Sequence, residues 1–84
     1  MKQVTVYSTP YCGYCRRAKA LLKSLDIPFV EIDLASSQEL SDELVAKYHW
    51  QTVPLILFGD KFIGGYVNLA ELAQSGKVRD LLID

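Results

Sequence analysis

The strongest chemical feature of the sequence is a pair of cysteines separated by two residues, Cys12-Gly13-Tyr14-Cys15. They are the only cysteines in the chain, and they begin a segment whose apolar residues recur with helical spacing. At the start of a helix, side chains three residues apart lie on the same face, so the two sulfurs can form and break a disulfide with little backbone movement. Because no other thiol is present, the pattern favours thiol–disulfide exchange over a structural disulfide.

Their positions within the predicted helix give the two cysteines different roles. Cys12 falls at the amino end, where unpaired backbone N–H groups and the helix dipole favour a thiolate, so we predict that Cys12 is the nucleophile. Arg16 lies one turn further along and adds positive charge. Cys15 lies deeper in the first turn and suits a resolving thiol, which attacks a mixed disulfide formed on Cys12. A buried cysteine that packs only as a small apolar side chain is the weaker alternative for either position.

Apolar periodicity predicts four strands and four helices around these cysteines. Ser36 with Glu39 resembles a capping box that starts the second helix, and Asn68 with Glu71 resembles another that starts the third. Strands separated by helices are expected to run parallel, whereas the turn at Gly59-Asp60 forces an antiparallel hairpin, so we predict a mixed sheet. The predicted strands are 4–7, 29–33, 54–58 and 61–63, and the predicted helices are 14–25, 37–48, 69–73 and 78–83.

Composition and charge limit the class of protein. A chain of 84 residues suffices for one small domain, and we predict a single domain over residues 1–84. Half of the residues are apolar and the net charge is −1, which favours a folded core and gives no basic stripe for nucleic acid. No apolar run reaches the roughly 18 residues of a membrane span. The first residues pass directly into a strand pattern without the features of a signal peptide, so we expect a cytoplasmic protein.

Two further motifs accompany the cysteines: Thr52-Val53-Pro54 before the third predicted strand, and Gly64-Gly65 after the fourth. A single C-x-x-C motif is weak evidence, whereas three motifs in matching order are specific. On these residues the chain resembles a glutaredoxin of the dithiol CGYC type, a small member of the thioredoxin-fold family, over essentially its whole length. The resemblance implies an α/β thioredoxin-like fold, with a four-stranded mixed sheet, helices on both faces and the order βαβαββαα.

The resemblance also implies a glutathione site where the three motifs meet. In the family, the position of Tyr14 contacts glutathione. Pro54 is implied to be cis and to pack against the cysteines, which exposes the Val53 backbone to an extended substrate. The Gly64-Gly65 turn offers N–H groups to the γ-glutamyl carboxylate. The predicted site therefore comprises catalytic Cys12 and Cys15 and glutathione contacts from Tyr14, Gln51, Thr52, Val53, Pro54, Gly65, Tyr66 and Val67.

Several positions depart from the pattern of the family. Val67 and Asn68 stand where glutaredoxins commonly carry aspartate, which can meet the γ-glutamyl amine. Thr9 replaces a common lysine, and Gln51 replaces a common basic residue before the Thr-Val-Pro motif. A neutral donor binds a carboxylate less strongly than a charged one. We therefore expect weaker glutathione affinity than in better-matched relatives.

The resemblance implies an enzyme that reduces protein–glutathione mixed disulfides and protein disulfides, with glutathione as co-substrate. Two alternatives stay open: an electron donor, for example to ribonucleotide reductase, fed by thioredoxin reductase, and a [2Fe–2S] cluster-binding or transfer module. The second rests on Gly13, which replaces a common proline, because relatives with a small residue there include cluster-bridged dimers. The main interpretation has no metal ligand, and in the alternative Cys12 binds the cluster.

Expected partners are glutathione and glutathionylated or disulfide-containing proteins. We expect a monomer, with a cluster-bridged dimer in the alternative.

Overall fold

In a computed structural model of the protein, which describes residues 1–50 and 52–83, four strands form one sheet in the order β2-β1-β3-β4. The strands are β1 (Val4–Ser8), β2 (Phe29–Asp33), β3 (Leu55–Phe58) and β4 (Lys61–Gly64), and the helices are α1 (Gly13–Ser24), α2 (Gln38–Tyr48), α3 (Tyr66–Gln74) and α4 (Val78–Leu82), with a 3₁₀ turn at Leu34–Ser36. The predicted mixed sheet and element order are confirmed. Within the described residues, no helix is both long and apolar enough to cross a bilayer.

Helices cover both faces of the sheet because residues of β1 and β3 alternate between two apolar clusters. The larger cluster packs beneath α1, α3 and α4, and the smaller one lies against α2. All four residues of β3 are buried, which explains why this strand is a continuous apolar run in the sequence. The buried members are Val4, Val6, Ala18, Leu22, Ile27, Ile56, Phe58, Leu69, Val78 and Leu82 in the larger cluster and Leu44, Leu55 and Leu57 in the smaller.

The direction of β3 differs from the prediction. β1 pairs with β2 in parallel, but β3 runs antiparallel to β1 although a helix separates it from β2. The rule that strands separated by a helix run parallel holds only when the connecting segment carries the chain back to the opposite end of the strands. Here the connection through α2 leaves the sheet at the carboxyl end of β2 and re-enters it at the same end. β3 therefore runs opposite to β1 and β2.

This reversal brings the three sequence motifs to one edge of the sheet. Because β3 is antiparallel to both β1 and β4, the carboxyl ends of β1 and β4 lie beside the amino end of β3. Cys12 follows β1, Pro54 precedes β3 and Gly65 follows β4. The topology thus brings together residues that lie more than fifty positions apart in the chain.

Two helix starts differ from the predicted capping residues. α2 is capped by Ser37, whose Oγ accepts the N–H of Leu40 at 3.2 Å, while Ser36 lies in the preceding 3₁₀ turn. α3 begins directly after Gly65, and Asn68 lies inside its first turn. Before α2 two neighbouring serines suit the same cap, and at α3 Asn68 bonds back to the N–H of the capping Gly65 from inside the first turn. The pattern alone therefore places each boundary only to within a few residues. The other predicted ends differ by at most one residue.

Candidate active site

The sulfur of Cys12 lies between the first turn of α1 and the loop that leads into β3. Cys12 is the amino-terminal cap of the helix, and its Sγ accepts the backbone N–H of Cys15 at 3.1 Å, in the way a serine or aspartate oxygen caps other helices. Its S–H donates to the carbonyl oxygen of Val53, with 3.5 Å between the sulfur and the oxygen. The resemblance implies that the Val53 backbone pairs with an extended substrate. In the reduced protein its carbonyl oxygen accepts the S–H of Cys12 instead.

Cys15 is a buried thiol directly behind Cys12. Its side chain is 1% exposed, and both cysteines are free thiols. Burial raises the pKa of the Cys15 thiol to about 12, and its hydrogen bond to Cys12 acts in the same direction. Cys15 is therefore protonated at neutral pH, and it must release its proton before it can act as a nucleophile.

This difference predicts selective alkylation. With iodoacetamide at pH 7, we expect rapid modification of Cys12 and modification of Cys15 at least about 100-fold more slowly, because a thiol with a pKa of about 12 is almost entirely protonated. Mass spectrometry of proteolytic fragments measures both rates. Labelling of Cys15 should accelerate as the pH rises towards 12, and in denaturant the two cysteines should react alike. Equal rates in the folded protein at pH 7 would contradict the buried position of Cys15.

A cleft of about 290 Å³ lies beside Cys12. All the predicted glutathione contacts that the structure describes line it, while Gln51 lies outside the described residues. Their function as glutathione contacts stays a prediction, but their convergence in one cleft is a property of the fold. The lining residues are Tyr14, Trp50, Thr52, Val53, Pro54, Gly65, Tyr66, Val67 and Asn68.

Aromatic rings and backbone form the walls of this cleft. Tyr14 lies in the first turn of α1 and Tyr66 in the first turn of α3. Their ring centroids are 6.1 Å apart. The Val53-Pro54 peptide bond is cis, as the resemblance implied, and Pro54 is buried. A Cβ atom on Gly65 would lie 3.3 Å from the Trp50 ring and 3.5 Å from the Pro54 carbonyl oxygen. A residue without a side chain therefore lets α3 begin close to the loop.

Two residues outside the predicted set of glutathione contacts also line the cleft. Trp50 packs on the smaller apolar cluster and also lines the cleft, and its ring meets Phe62 edge-on at a centroid distance of 5.3 Å. Asn68 lines the cleft as well, and its Oδ1 accepts the N–H of Gly65 at 3.0 Å. The sequence signal for Trp50 is its proximity to the Thr-Val-Pro motif, whereas Asn68 also matches a position where the family commonly carries aspartate.

A polar cluster that the sequence analysis missed lies on the other side of α1. The carboxylate of Glu31 accepts hydrogen bonds from Lys19 at 2.7 Å and from the buried hydroxyl of Ser8 at 2.6 Å. Lys19, and after it Ser8, lower the pKa of Glu31. Lys19 lies one helical turn beyond Cys15, so its charge also favours the Cys15 thiolate. The cluster ties α1 to β1 and β2 below the cysteine pair.

The described residues do not form a metal site by themselves. No group of three or more His, Cys, Asp or Glu side chains converges within residues 1–50 and 52–83. Cys15 is buried, which leaves Cys12 as the accessible thiol, and the other ligands of a cluster would have to come from outside this chain. A Cβ atom on Gly13 would meet nothing within 4 Å, so packing does not require glycine there. Cluster binding stays a prediction.

The fold and the cysteine pair define the class of this protein, a thiol–disulfide oxidoreductase with a thioredoxin-like fold. The family model described as "Glutaredoxin" matches residues 4–63. The chain therefore belongs to the glutaredoxin family. A glutaredoxin of Pseudomonas aeruginosa is 40% identical over 82 residues, which cover 98% of each chain.

Solved structures agree with this assignment. The solution structure of a glutaredoxin from Brucella melitensis superimposes with a TM-score of 0.87 at 39% identity, covering 98% of this chain and 89% of that one. The crystal structure of a buckwheat glutaredoxin–glutathione complex superimposes with a TM-score of 0.88 at 32% identity, covering 94% of this chain and 74% of that one. At these identities the similarity extends from the fold to the family.

Proposed function

We propose that the protein is a glutathione-dependent oxidoreductase that reduces protein–glutathione mixed disulfides and protein disulfides. The observation that carries this proposal is the contact between the Cys12 sulfur and the carbonyl of Val53, because Val53 is also a wall of the adjoining cleft. A glutathionyl group in that cleft would have its sulfur next to Cys12. The similar buckwheat glutaredoxin has been crystallised with glutathione, which supports the same ligand here.

In the first step the Cys12 thiolate attacks the glutathione sulfur of the mixed disulfide. A bond forms between the Cys12 and glutathione sulfurs while the disulfide of the substrate breaks, and the target protein leaves as a thiolate that takes a proton from solvent. Cys12 is thereby oxidised and the target cysteine is reduced. A second glutathione thiolate then attacks the bound glutathione sulfur, releasing oxidised glutathione and regenerating the Cys12 thiolate.

Reduction of a protein disulfide uses Cys15 as well. Cys12 attacks one target sulfur and releases the other as a thiolate. Cys15 then loses its proton to solvent and attacks the Cys12 sulfur, which releases the second target sulfur and leaves a Cys12–Cys15 disulfide. Two glutathione molecules reduce that disulfide, one sulfur at a time. Because burial disfavours the Cys15 thiolate, loss of the Cys15 proton must precede this attack.

The composition of the cleft supports a modest affinity for glutathione. None of the described lining residues is charged, so the carboxylates of glutathione would be bound by backbone N–H groups and neutral side chains. The first turn of α3 offers such N–H groups around Tyr66 and Val67. The γ-glutamyl amine finds no carboxylate among these residues. A hydrogen bond between neutral groups contributes about 0.5–1.5 kcal/mol, against about 1.5–3 kcal/mol for one to a charged group.

The Cys15→Ser variant tests the proposal. We expect it to retain turnover of a glutathionylated peptide within about threefold of the wild type, since a second glutathione can release the Cys12 adduct without Cys15. Reduction of an intramolecular protein disulfide should be lost. Glutathione, glutathione reductase and NADPH couple the first reaction to a change in absorbance.

A matched control separates binding from chemistry in this experiment. The rate at which iodoacetamide modifies Cys12 shows whether the variant is folded with a reactive nucleophile. If Cys12 reacts normally but neither protein turns over the glutathionylated peptide, glutathione dependence is wrong. In that case reduction by thioredoxin reductase with NADPH is the next activity to measure.

A further inference from the structure

Large apolar side chains are exposed near Cys12, both on the wall of the cleft and outside it. Tyr11, directly before the nucleophile, is 95% exposed, Tyr14 is 55% exposed and Val67 is 61% exposed. Tyr11 does not line the cleft. Exposed large apolar side chains beside a reactive group offer a surface for contact with another macromolecule. We call Tyr11, Tyr14, Arg17 and Val67 together the active-site rim.

The charge of this rim is positive. The guanidinium carbon of Arg17 lies 5.2 Å from the centre of the Tyr14 ring, and the two residues share a hollow with Gly13. The first turn of α1 contains no acidic residue, and within the described part of the chain Arg17 makes no ion pair. The protein as a whole carries a net charge of −1, so this positive surface is a local feature.

The segment that leads into Cys12 borders a hollow whose charges balance. There Arg16 and Lys19 line a second cleft together with Glu31 and Asp33, two cations with two carboxylates. Of these two hollows, the one at Tyr14 and Arg17 is the one with an excess of positive charge. Such an asymmetry orients a charged partner and raises its rate of encounter.

We propose that the active-site rim docks the protein half of the mixed disulfide and selects targets whose modified cysteine lies among acidic residues. This inference rests on the proposed function, because it assigns the half of the substrate that is not glutathione. Arg17 attracts the carboxylates of the target, and the exposed ring of Tyr11 packs on an apolar side chain next to the modified cysteine. Targets with lysine or arginine at these positions are repelled by Arg17.

Glutathionylated peptides test this preference. Three peptides of one sequence carry aspartate, serine or lysine at the two positions on each side of the modified cysteine, and kcat/KM is measured for each. We expect the aspartate peptide to exceed the lysine peptide about fivefold at low salt, and the ratio to approach one in 0.5 M salt, because exposed charges are screened. Since all three peptides carry the same glutathionyl group, the ratio reports only on the peptide half.

Charge variants assign the preference to Arg17. Arg17→Glu should invert the ratio, and Arg17→Gln should bring it close to one. Lys23→Glu is the matched control, because it makes the same change in charge on the same helix about 9 Å beyond Arg17 and further from Cys12. Tyr11→Ala should raise KM for all three peptides and leave the mixed disulfide of glutathione and 2-mercaptoethanol unaffected.

The outcomes distinguish this inference from the proposed function. Equal kcat/KM for the three peptides, or a shift with Lys23→Glu as large as that with Arg17→Glu, overturns the docking surface. Failure to turn over any glutathionylated compound, the small mixed disulfide included, overturns the proposed function itself. Circular dichroism of each variant confirms that the ratios compare folded proteins.

Discussion

Cys12→Ser is expected to lower the turnover of a glutathionylated peptide by a factor of about 1,000 or more. A serine hydroxyl is protonated at neutral pH and does not form the covalent sulfur adduct on which both proposed routes depend. The serine oxygen can still cap α1, because it accepts the same N–H that the Cys12 sulfur accepts now. The substitution therefore removes the chemistry and retains the local structure.

The remaining thiol makes this prediction specific. In Cys12→Ser the buried Cys15 is the only thiol left, and its burial, which leaves it 1% exposed and is the main cause of its raised pKa, keeps it from replacing the nucleophile. The coupled glutathione assay measures turnover, and urea unfolding of the variant serves as the control for stability. Turnover within tenfold of the wild type would show that Cys12 is not the nucleophile. Comparison with Cys15→Ser then shows which sulfur carries the reaction.

The element order could be predicted from the sequence because each element has its own local signal. The apolar alternation of β1 and the three- and four-residue spacing in α1 depend on burial of one face, which periodicity reports directly. The run from Leu55 to Phe58 is long enough for a strand and too short for a helix. These patterns are formed by neighbouring residues, so no long-range contact is needed to interpret them.

Strand direction could not be derived in the same way. The direction of β3 depends on the path of the chain through α2. The sequence of that helix does not indicate whether the chain re-enters the sheet at the end where β2 left it or at the opposite end. The convergence of Cys12, Pro54 and Gly65 depends on that direction. Their convergence was therefore implied by the resemblance to a family and not by the residues themselves.

The sequence also did not determine which residue caps each helix, or whether a core side chain has a second contact at the cleft. Ser36 and Ser37 have the same chemistry, and the choice between them depends on whether the chain first makes a 3₁₀ turn. Trp50 is an apolar residue at the end of a helical pattern, so the sequence predicts core packing, which the structure confirms through its contact with Phe62. That the same ring also lines the cleft depends on the approach of Gly65, which lies on a different element.

Gly64→Ala is expected to reduce the free energy of unfolding by about 2–4 kcal/mol. Gly64 has a φ of +120°, a conformation that residues with a side chain rarely adopt. A Cβ atom there would also lie 2.6 Å from Oδ1 of Asn68, which now accepts the N–H of Gly65. The substitution thus adds backbone strain and displaces the side chain that holds the Gly64-Gly65 turn beside the cleft. Urea unfolding measures the change.

Two comparisons separate these contributions. Gly76→Ala is the matched control, because Gly76 also has a positive φ, of +74°, but a Cβ atom there meets nothing within 4 Å. It should cost only the backbone strain, about 1 kcal/mol. Asn68→Ala removes the hydrogen bond to Gly65 alone, and combined with Gly64→Ala it should destabilise less than the sum of the two changes, because both disrupt one contact. Full additivity, or a cost for Gly64→Ala no larger than that for Gly76→Ala, would contradict the role of Asn68. If that role is correct, Gly64→Ala should also raise KM for glutathionylated peptides, because the turn borders the cleft. The alkylation rate of Cys12 should stay unchanged, because the turn does not contact the nucleophile.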